Sequence, residues 1–281
     1  MAFEITGYTR YDRDEVMWLL QSSERVHQHL DWRPAEGWLG DPGTTTRLAR
    51  VGGRVVGCLS ASPPYNGVSW LRLAAVADDQ SAALLLDAMW PQVRAALRTY
   101  MVSQVGALGL RQWLLPYLAG LGFRLVNRVI TMGRSGTRLP APLRADVRIR
   151  PVREGDLDDV AAVDNVAFSP LWQYSVRDLQ DASRVAARFT LAELNGRVVG
   201  YQLSTAYPES AHIVRLATAP RLQGMGVGGM LLGEVIEYFL RKKLDEITVN
   251  TQADNQTSRH LYRRFGFTET GHEVEVWVTK L

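Results

Sequence analysis

The pentapeptide Gly53-Arg54-Val55-Val56-Gly57 recurs unchanged as Gly196-Arg197-Val198-Val199-Gly200, 143 residues later. Leu71-Arg72-Leu73-Ala74 faces Val214-Arg215-Leu216-Ala217 at the same offset, and Leu121-Gly122-Phe123 faces Phe265-Gly266-Phe267 at 144. One short match arises by chance. Three in order, at a nearly constant spacing, mark a plan used twice. A chain of 281 residues has room for two ordinary domains. Between the copies, Gly136-Thr137-Arg138-Leu139-Pro140-Ala141-Pro142-Leu143 has no periodicity and reads as a linker. The expected division is residues 1–136, a linker over 137–146, and residues 147–281.

Each copy follows one order of elements. In the second, VRIRPV from Val147 opens as a strand and a helical stretch follows. RFTLAEL and RVVGYQLST flank Asn195-Gly196, a two-residue hairpin signal. The strand HIVRLAT comes next. Leu231, Leu232, Val235, Ile236, Phe239 and Leu240 then share one face of a helix. The strand EITVNT, a short helix from Asn255 and a closing strand EVEVWVT complete the copy. Strands alternating with helices predict an α/β fold, with helices packed on a sheet in each copy.

The strongest chemical signal joins the HIVRLAT strand to that helix: Pro220-Arg221-Leu222-Gln223-Gly224-Met225-Gly226-Val227-Gly228-Gly229. A strand–loop–helix junction points free N–H groups at one spot, and the helix dipole adds positive potential there. Glycines let a ligand reach the backbone without meeting a Cβ. The natural guest is a pyrophosphate. A flexible loop without a ligand has the same composition. A dinucleotide fingerprint needs a third glycine and an acidic residue that are misplaced here, and no Gly-Lys-Ser/Thr follows for a P-loop.

Leu216 to Gly228 resembles the cofactor motif of the GNAT superfamily of acyl-CoA-dependent N-acyltransferases, written Q/R-x-x-G-x-G/A, with Gln223, Gly226 and Gly228 at its fixed positions. A second segment, Asn255 to Phe267, resembles the family's N-x-x-S/A-x-x-x-Y-x-x-x-G-F element. The resemblance implies a fold class: α/β, two tandem GNAT-like domains, each a mixed, mostly antiparallel sheet flanked by helices. It implies acetyl-CoA as the cofactor. Backbone N–H groups of Gln223, Gly224, Met225, Gly226, Val227, Gly228 and Gly229 would hold its pyrophosphate. The backbone of Leu216, Ala217 and Thr218 would pair with its pantetheine arm. Asn255 and Ser258 join this set, Asn255 bonding the pantetheine, and Tyr262 presents its hydroxyl to the thioester sulfur. Read locally, Asn255 is a helix N-cap and Gly266 a helix end, and Tyr262 is equally a packed aromatic.

The first copy departs from this pattern. Opposite the glycine loop it reads Ala75-Val76-Ala77-Asp78-Asp79-Gln80-Ser81, and no glycine occurs from Val68 to Val105. Near the Asn255 and Tyr262 positions it has Arg111 and Leu118, with Tyr117 one residue away. A degenerate, cofactor-free copy is expected.

The resemblance implies direct attack of a primary amine on the thioester in a ternary complex. That reaction needs a neutral amine, a donor for the developing oxyanion and a proton for the thiolate. Tyr262 is the candidate acid. His212, on the strand that runs into the loop, is the candidate base, with Glu209 second and Glu193 weaker. Even alternation puts His212 on the side of Ser210 and Val214. A hydrogen-bonded structural histidine is the other reading of His212. Trp172 and Tyr174 are candidates for an acceptor wall, or else core. Glu273 and Glu275 read as strand-face charge. A non-catalytic acyl-CoA-binding sensor would keep the glycine loop without needing Tyr262, and a purely structural protein leaves the loop unexplained.

Lys and Arg exceed Asp and Glu by 3 and are scattered, so nucleic-acid binding is not expected. The lone Cys58 offers neither a disulfide nor a metal site. The N-terminus lacks a signal-peptide apolar core, and no apolar run approaches the roughly 20 residues of a membrane span. A cytoplasmic protein acting on a small-molecule or peptide amine is expected, as a monomer or homodimer.

Overall fold

The computed structural model describes residues 3–141 and 146–281; residues 142–145 of the expected linker lie outside the described residues. The chain forms two compact units, Met1–Asn127 with Val274–Leu281, and Arg128–Glu273.

The first unit contains β1 (Glu4–Gly7), α1 (Arg13–Ser22), β2 (Val26–Gln28), β3 (Thr45–Val51), β4 (Arg54–Ala61), β5 (Val68–Val76), α2 (Ala82–Thr99), β6 (Gln104–Leu108), α3 (Leu115–Leu118) and the start of β7 (Arg124–Arg134). The strands lie in the order β1-β3-β4-β5-β6, with β2 also on β5. Only β5 and β6 are parallel. Leu85, Leu86, Met89, Val93 and Leu97 put one face of α2 into the core.

The second unit repeats the plan with β8 (Arg148–Pro151), α4 (Leu157–Ala167), α5 (Val176–Ser183), β9 (Arg188–Leu194), β10 (Arg197–Ala206), β11 (Ser210–Thr218), α6 (Val227–Arg241), β12 (Glu246–Gln252), α7 (Gln256–Arg264), the rest of β7 and the first part of β13 (Thr268–Lys280). Its order is β8-β9-β10-β11-β12-β7-β13. Here β11 and β12 are parallel, while β8 to β11 and the β12–β7 pair are antiparallel. These are the mixed, mostly antiparallel sheets that were expected. Asn195 (φ 50°) and Gly196 (φ 75°) make the tight turn between β9 and β10.

The units are cut through β7 and β13 rather than at 137–146. Val129 to Arg134 of the first copy pair with β12, and Val276 to Lys280 of the second pair with β6. The two copies exchange their last strands. Comparing the copies cannot reveal this, because each holds an equivalent strand at that place.

The three repeated words have physical content. Val56 and Val199 are the extra residues of two equivalent bulges, where the register skips from Val55 to Gly57 and from Val198 to Gly200. A Cβ at Gly57 would meet Ala49, Met89 and Leu85 at 3.2–3.3 Å. At Gly200 it would lie 2.8 Å from the Ala217 carbonyl oxygen. Glycine thus lets a helix settle on a kinked strand. Gly122 (φ 87°) and Gly266 (φ 84°) each follow a short helix in the left-handed region and turn a buried phenylalanine, Phe123 or Phe267, into the core. Arg72 and Arg215 each pair with an aspartate, Asp31 and Asp164.

Candidate active site

β11 and β12 pair only from Ser210–Glu246 to Ile213–Val249. Beyond that, β11 continues to Thr218 and β12 to Gln252, so the strands splay. The Ala219 amide donates to the Val199 carbonyl on the β10 side. Alternation therefore turns the backbone groups of Thr218 and Leu216 into the splay and those of Ala217 toward β10. The Gln223 carboxamide reaches the Thr218 carbonyl at 3.4 Å from that open side.

The loop after β11 makes one 3-10 turn, Pro220–Leu222, and enters α6 through Gly224 (φ 81°) and Gly226 (φ 88°). Gly226 is the N-cap, and among the described residues no side chain caps the helix. The first amide bonded along α6 is that of Met230, to the Gly226 carbonyl at 2.9 Å. The amides of Val227, Gly228 and Gly229 precede it and have no intrahelical acceptor. A side-chain cap contributes about 1 kcal/mol. Burial of Leu231, Leu232, Val235, Ile236 and Phe239 contributes roughly 1.5–3 kcal/mol each before entropic costs, so packing holds α6 without a cap. A Cβ at Gly228 would sit 3.3 Å from Thr218 Oγ1 and 3.5 Å from Leu261, where β11, α6 and α7 converge. Arg221, Gln223, Gly224 and Met225 are exposed. A bare helix N-terminus beside an unpaired strand edge fits a pyrophosphate carrying an extended amide arm.

Asn255 caps α7, its carboxamide oxygen accepting from the Ser258 amide at 3.0 Å, and its NH2 has no partner among the described residues. The Tyr262 ring is buried with Phe265 and Phe267 in the core under α6. Its hydroxyl makes no hydrogen bond among the described residues, yet it is not among the sealed polar atoms. Burial raises its pKa, so the group stays protonated and acts as a donor. The ring is thus a packed aromatic whose hydroxyl is not sealed off.

His212 lies on the sheet face opposite α6, since its neighbours Ala211 and Ile213 join the α6 core. Its Nδ1 bonds Thr248 Oγ1 at 2.8 Å, and Nε2 has no partner among the described residues. Burial lowers its pKa, so the ring is neutral near pH 7. Alternation does not run evenly along the whole of β11. A bulge between Leu203 and Ser204 inserts Val214 and reverses the phase. Leu216 thereby packs toward α6 with Ile213, while Arg215 turns to Asp164 on α4. Glu209 is exposed in the β10–β11 turn. Glu193 is held by Arg150 at 3.0 Å. Glu273 pairs with Arg128, and Glu275 accepts from the Trp277 indole.

Trp172 and Tyr174 are half-buried in the irregular segment between α4 and α5. The Arg215 guanidinium lies 3.6 Å from the Phe168 ring centroid and 4.1 Å from that of Tyr174, and donates to the Trp172 carbonyl. Asp164, fully buried, accepts from Arg215, the Tyr174 amide and the Tyr201 hydroxyl. The sequence reading missed Asp164, Arg215 and Tyr201. The available signal was a cation inside an otherwise apolar strand, which demands a buried partner.

The equivalent places in the first unit are filled. β5 is parallel to β6 only from Val68 to Trp70. Along the edge that would splay next, β2 pairs with Leu73 to Ala75, the His29 amide donates to the Arg72 carbonyl, and the Val76 amide donates to the Arg25 carbonyl. Helix α2 is capped by Ser81, which accepts from the Leu84 amide. Asp78 and Asp79 precede that cap. Tyr117, the shifted tyrosine, packs against Trp113.

Among the described residues, no helix is long and apolar enough to cross a membrane, and no cluster of three His, Cys, Asp or Glu is placed to hold a metal.

Residues 157–267 match the acetyltransferase (GNAT) family. The chain is 31% identical to an uncharacterized N-acetyltransferase of Methanocaldococcus jannaschii, over 42% of this chain and 76% of that one. It is 25% identical to a mycothiol acetyltransferase of Propionibacterium freudenreichii subsp. shermanii, over 94% of this chain and 88% of that one. In fold it is similar to a tandem GNAT protein from the clavulanic acid biosynthesis pathway, with a TM-score of 0.63 at 17% identity, covering 99% of this chain and 98% of that one. The chain belongs to the GNAT superfamily of N-acetyltransferases, in its tandem-domain form, and is an acyltransferase.

Proposed function

We propose that the second unit binds acetyl-CoA along β11 and the N-terminus of α6 and passes the acetyl group to a primary amine in a ternary complex. The observation that carries this reading is the continuity of the unpaired β11 edge with three uncapped helix amides and the Tyr262 helix. The bound thioester supplies an electrophilic carbonyl and a thiol leaving group. The amides of Gly224 and of Gly226 to Gly229 hold the pyrophosphate, while those of Gln223 and Met225 donate to the Pro220 and Leu222 carbonyls at 3.3 Å. Leu216 and Thr218 take the pantetheine amides as a strand edge does, and a backbone N–H there serves the developing oxyanion. The NH2 group of Asn255 is free to bond the same arm.

The Tyr262 hydroxyl donates toward the sulfur. Burial raises its pKa above the roughly 8.5 of a thiol, so the hydroxyl stabilises the departing thiolate as a hydrogen-bond donor and keeps its own proton at equilibrium. His212, neutral and fixed through Nδ1 by Thr248, takes the amine proton at Nε2, directly or through water. Glu209 is the second candidate. Trp172 and Tyr174 belong to the acceptor wall. The first unit binds no cofactor: its own β2 lies along the edge where the arm would pair.

Thiol release from acetyl-CoA, measured against a panel of polyamines, aminoglycosides, amino acids, peptide N-termini and the acceptor of the mycothiol acetyltransferases, tests the reading. Saturable, amine-dependent release is expected. Coenzyme binding with no release for any amine counts against it.

A further inference from the structure

The segment 168–175 is almost bare of regular structure, with one 3-10 turn at Pro170–Trp172. Side chains tie its backbone down. Asn165 donates to the Tyr174 carbonyl and Gln173 to those of Asn165 and Phe168. The remaining ties converge on one buried ion pair. Asp164, within α4, accepts two hydrogen bonds from Arg215 at 2.8 and 3.0 Å and one from the Tyr174 amide at 2.8 Å. Arg215 is clamped between the Phe168 and Tyr174 rings and donates to the Trp172 carbonyl. It stands one residue before Leu216, whose backbone faces the splay.

We infer that Arg215 is a positioning residue: through Asp164 it fixes the acceptor wall 168–175 to the strand that carries the thioester arm, and so sets where the amine stands relative to the carbonyl. This rests on the reading proposed above. Stability alone is a weak reason for the pair. Removing two charges from water costs about what their attraction returns, and apolar side chains of the same volume would hold α4 on the sheet as well. An apolar pair cannot fix one geometry. A bidentate pair between two rings admits a single placement of the wall. The first unit uses the equivalent arginine in a similar way: Arg72 bonds Asp31 at 2.8 Å, lies 4.2 Å from the Trp38 ring centroid, and fastens the segment after β2.

The test uses the full chain, with Asp164→Asn and Arg215→Lys compared to wild type. Coenzyme A affinity is measured by calorimetry. Hydrogen exchange is followed over 168–175 and 223–229. KM and kcat are measured for the amine of the panel that releases most thiol. Unchanged coenzyme A affinity is expected, with exchange at least about tenfold faster over 168–175 and not over 223–229. A loss of roughly 10²-fold in kcat/KM, carried mainly by acceptor KM, is expected alongside. Arg215→Lys should retain more activity than Arg215→Ala, since it keeps the charge and loses the fork.

Faster exchange across the whole second unit, or a loosened wall with unchanged acceptor KM, overturns the inference. If a variant fails to fold, Tyr201→Phe removes one hydrogen bond to Asp164 and keeps the ring; a smaller shift of the same kind is expected, and no shift overturns it. Failure of the wild type to bind coenzyme A would overturn the proposed function instead, and the exchange measurement remains readable because it needs no ligand.

Discussion

Gly200→Ala should weaken coenzyme binding from a position that no ligand touches. The new Cβ would lie 2.8 Å from the Ala217 carbonyl oxygen, 3.2 Å from Leu231 and 3.3 Å from Val227. A relaxed C···O contact is about 3.3–3.6 Å, so something must move by about 0.5 Å. The nearest atom is backbone and cannot swing aside. The strand carrying Ala217 moves, and its neighbours Leu216 and Thr218 face the splay. Overpacking of this kind costs about 1–3 kcal/mol of stability. Weakening one or two backbone hydrogen bonds to the pantetheine, at about 1 kcal/mol each, loses about five- to thirtyfold in affinity. The internal repeat supplies the control. At Gly57 the nearest atoms are all side-chain carbons, at 3.2–3.3 Å. Gly57→Ala should therefore destabilise mildly and leave coenzyme affinity alone. Calorimetry with coenzyme A and urea unfolding of both variants decide the matter. Wild-type affinity in Gly200→Ala, or an equal loss in Gly57→Ala, would refute the reasoning.

Tyr262→Phe should keep coenzyme affinity and lower kcat at least about tenfold in the thiol-release assay, since a positioned acid contributes roughly 10²–10⁴-fold; unchanged turnover removes Tyr262 from the mechanism. His212 must be neutral to act, so activity should fall as pH drops through its depressed pKa, and His212→Ala should abolish that limb of the pH–rate profile; a limb that survives points to Glu209 or solvent. His27, on β2, is fully buried, and neither ring nitrogen reaches a partner of normal geometry, with only a weak approach to the Leu71 backbone. Burial first, then His29 and Arg111, push its pKa down to about 4. The unfolded chain therefore takes up this proton below about pH 6.5 while the folded chain resists until about 4, so stability is lost as pH falls through that window, by about 2 kcal/mol at pH 5. Urea unfolding of His27→Leu at pH 7.5 and 5 should show a shallower pH dependence than wild type; parallel losses would count against it.

Much of the second copy was legible in its residues. Periodicity identified α6, whose apolar residues recur on one face, and β9 to β12, whose turns carry Asn195-Gly196 and the glycine loop. What escaped has physical reasons. The bulge at Val214 changes which side chains face which way without changing composition, so alternation cannot be carried past it to Arg215 and Leu216. Asp164 reads as an ordinary polar position on an amphipathic helix, and only the position of Arg215 shows that it must be buried. The exchange of β7 and β13 leaves no local trace. The self-pairing of β2 in the first unit depends on three residues, Val26 to Gln28, too few for a strand signal.

In the proposed function, uncapped amides at the start of α6, reached past Gly224 and Gly226, hold the cofactor's pyrophosphate. Calorimetry of the full chain with coenzyme A, beside Gly226→Val, tests it most directly. Gly226 sits at φ 88°, where a β-branched residue is strained. One equivalent bound by wild type and none measurable in the variant is expected. No uptake by wild type, a second equivalent, or equal binding by Gly226→Val would contradict it.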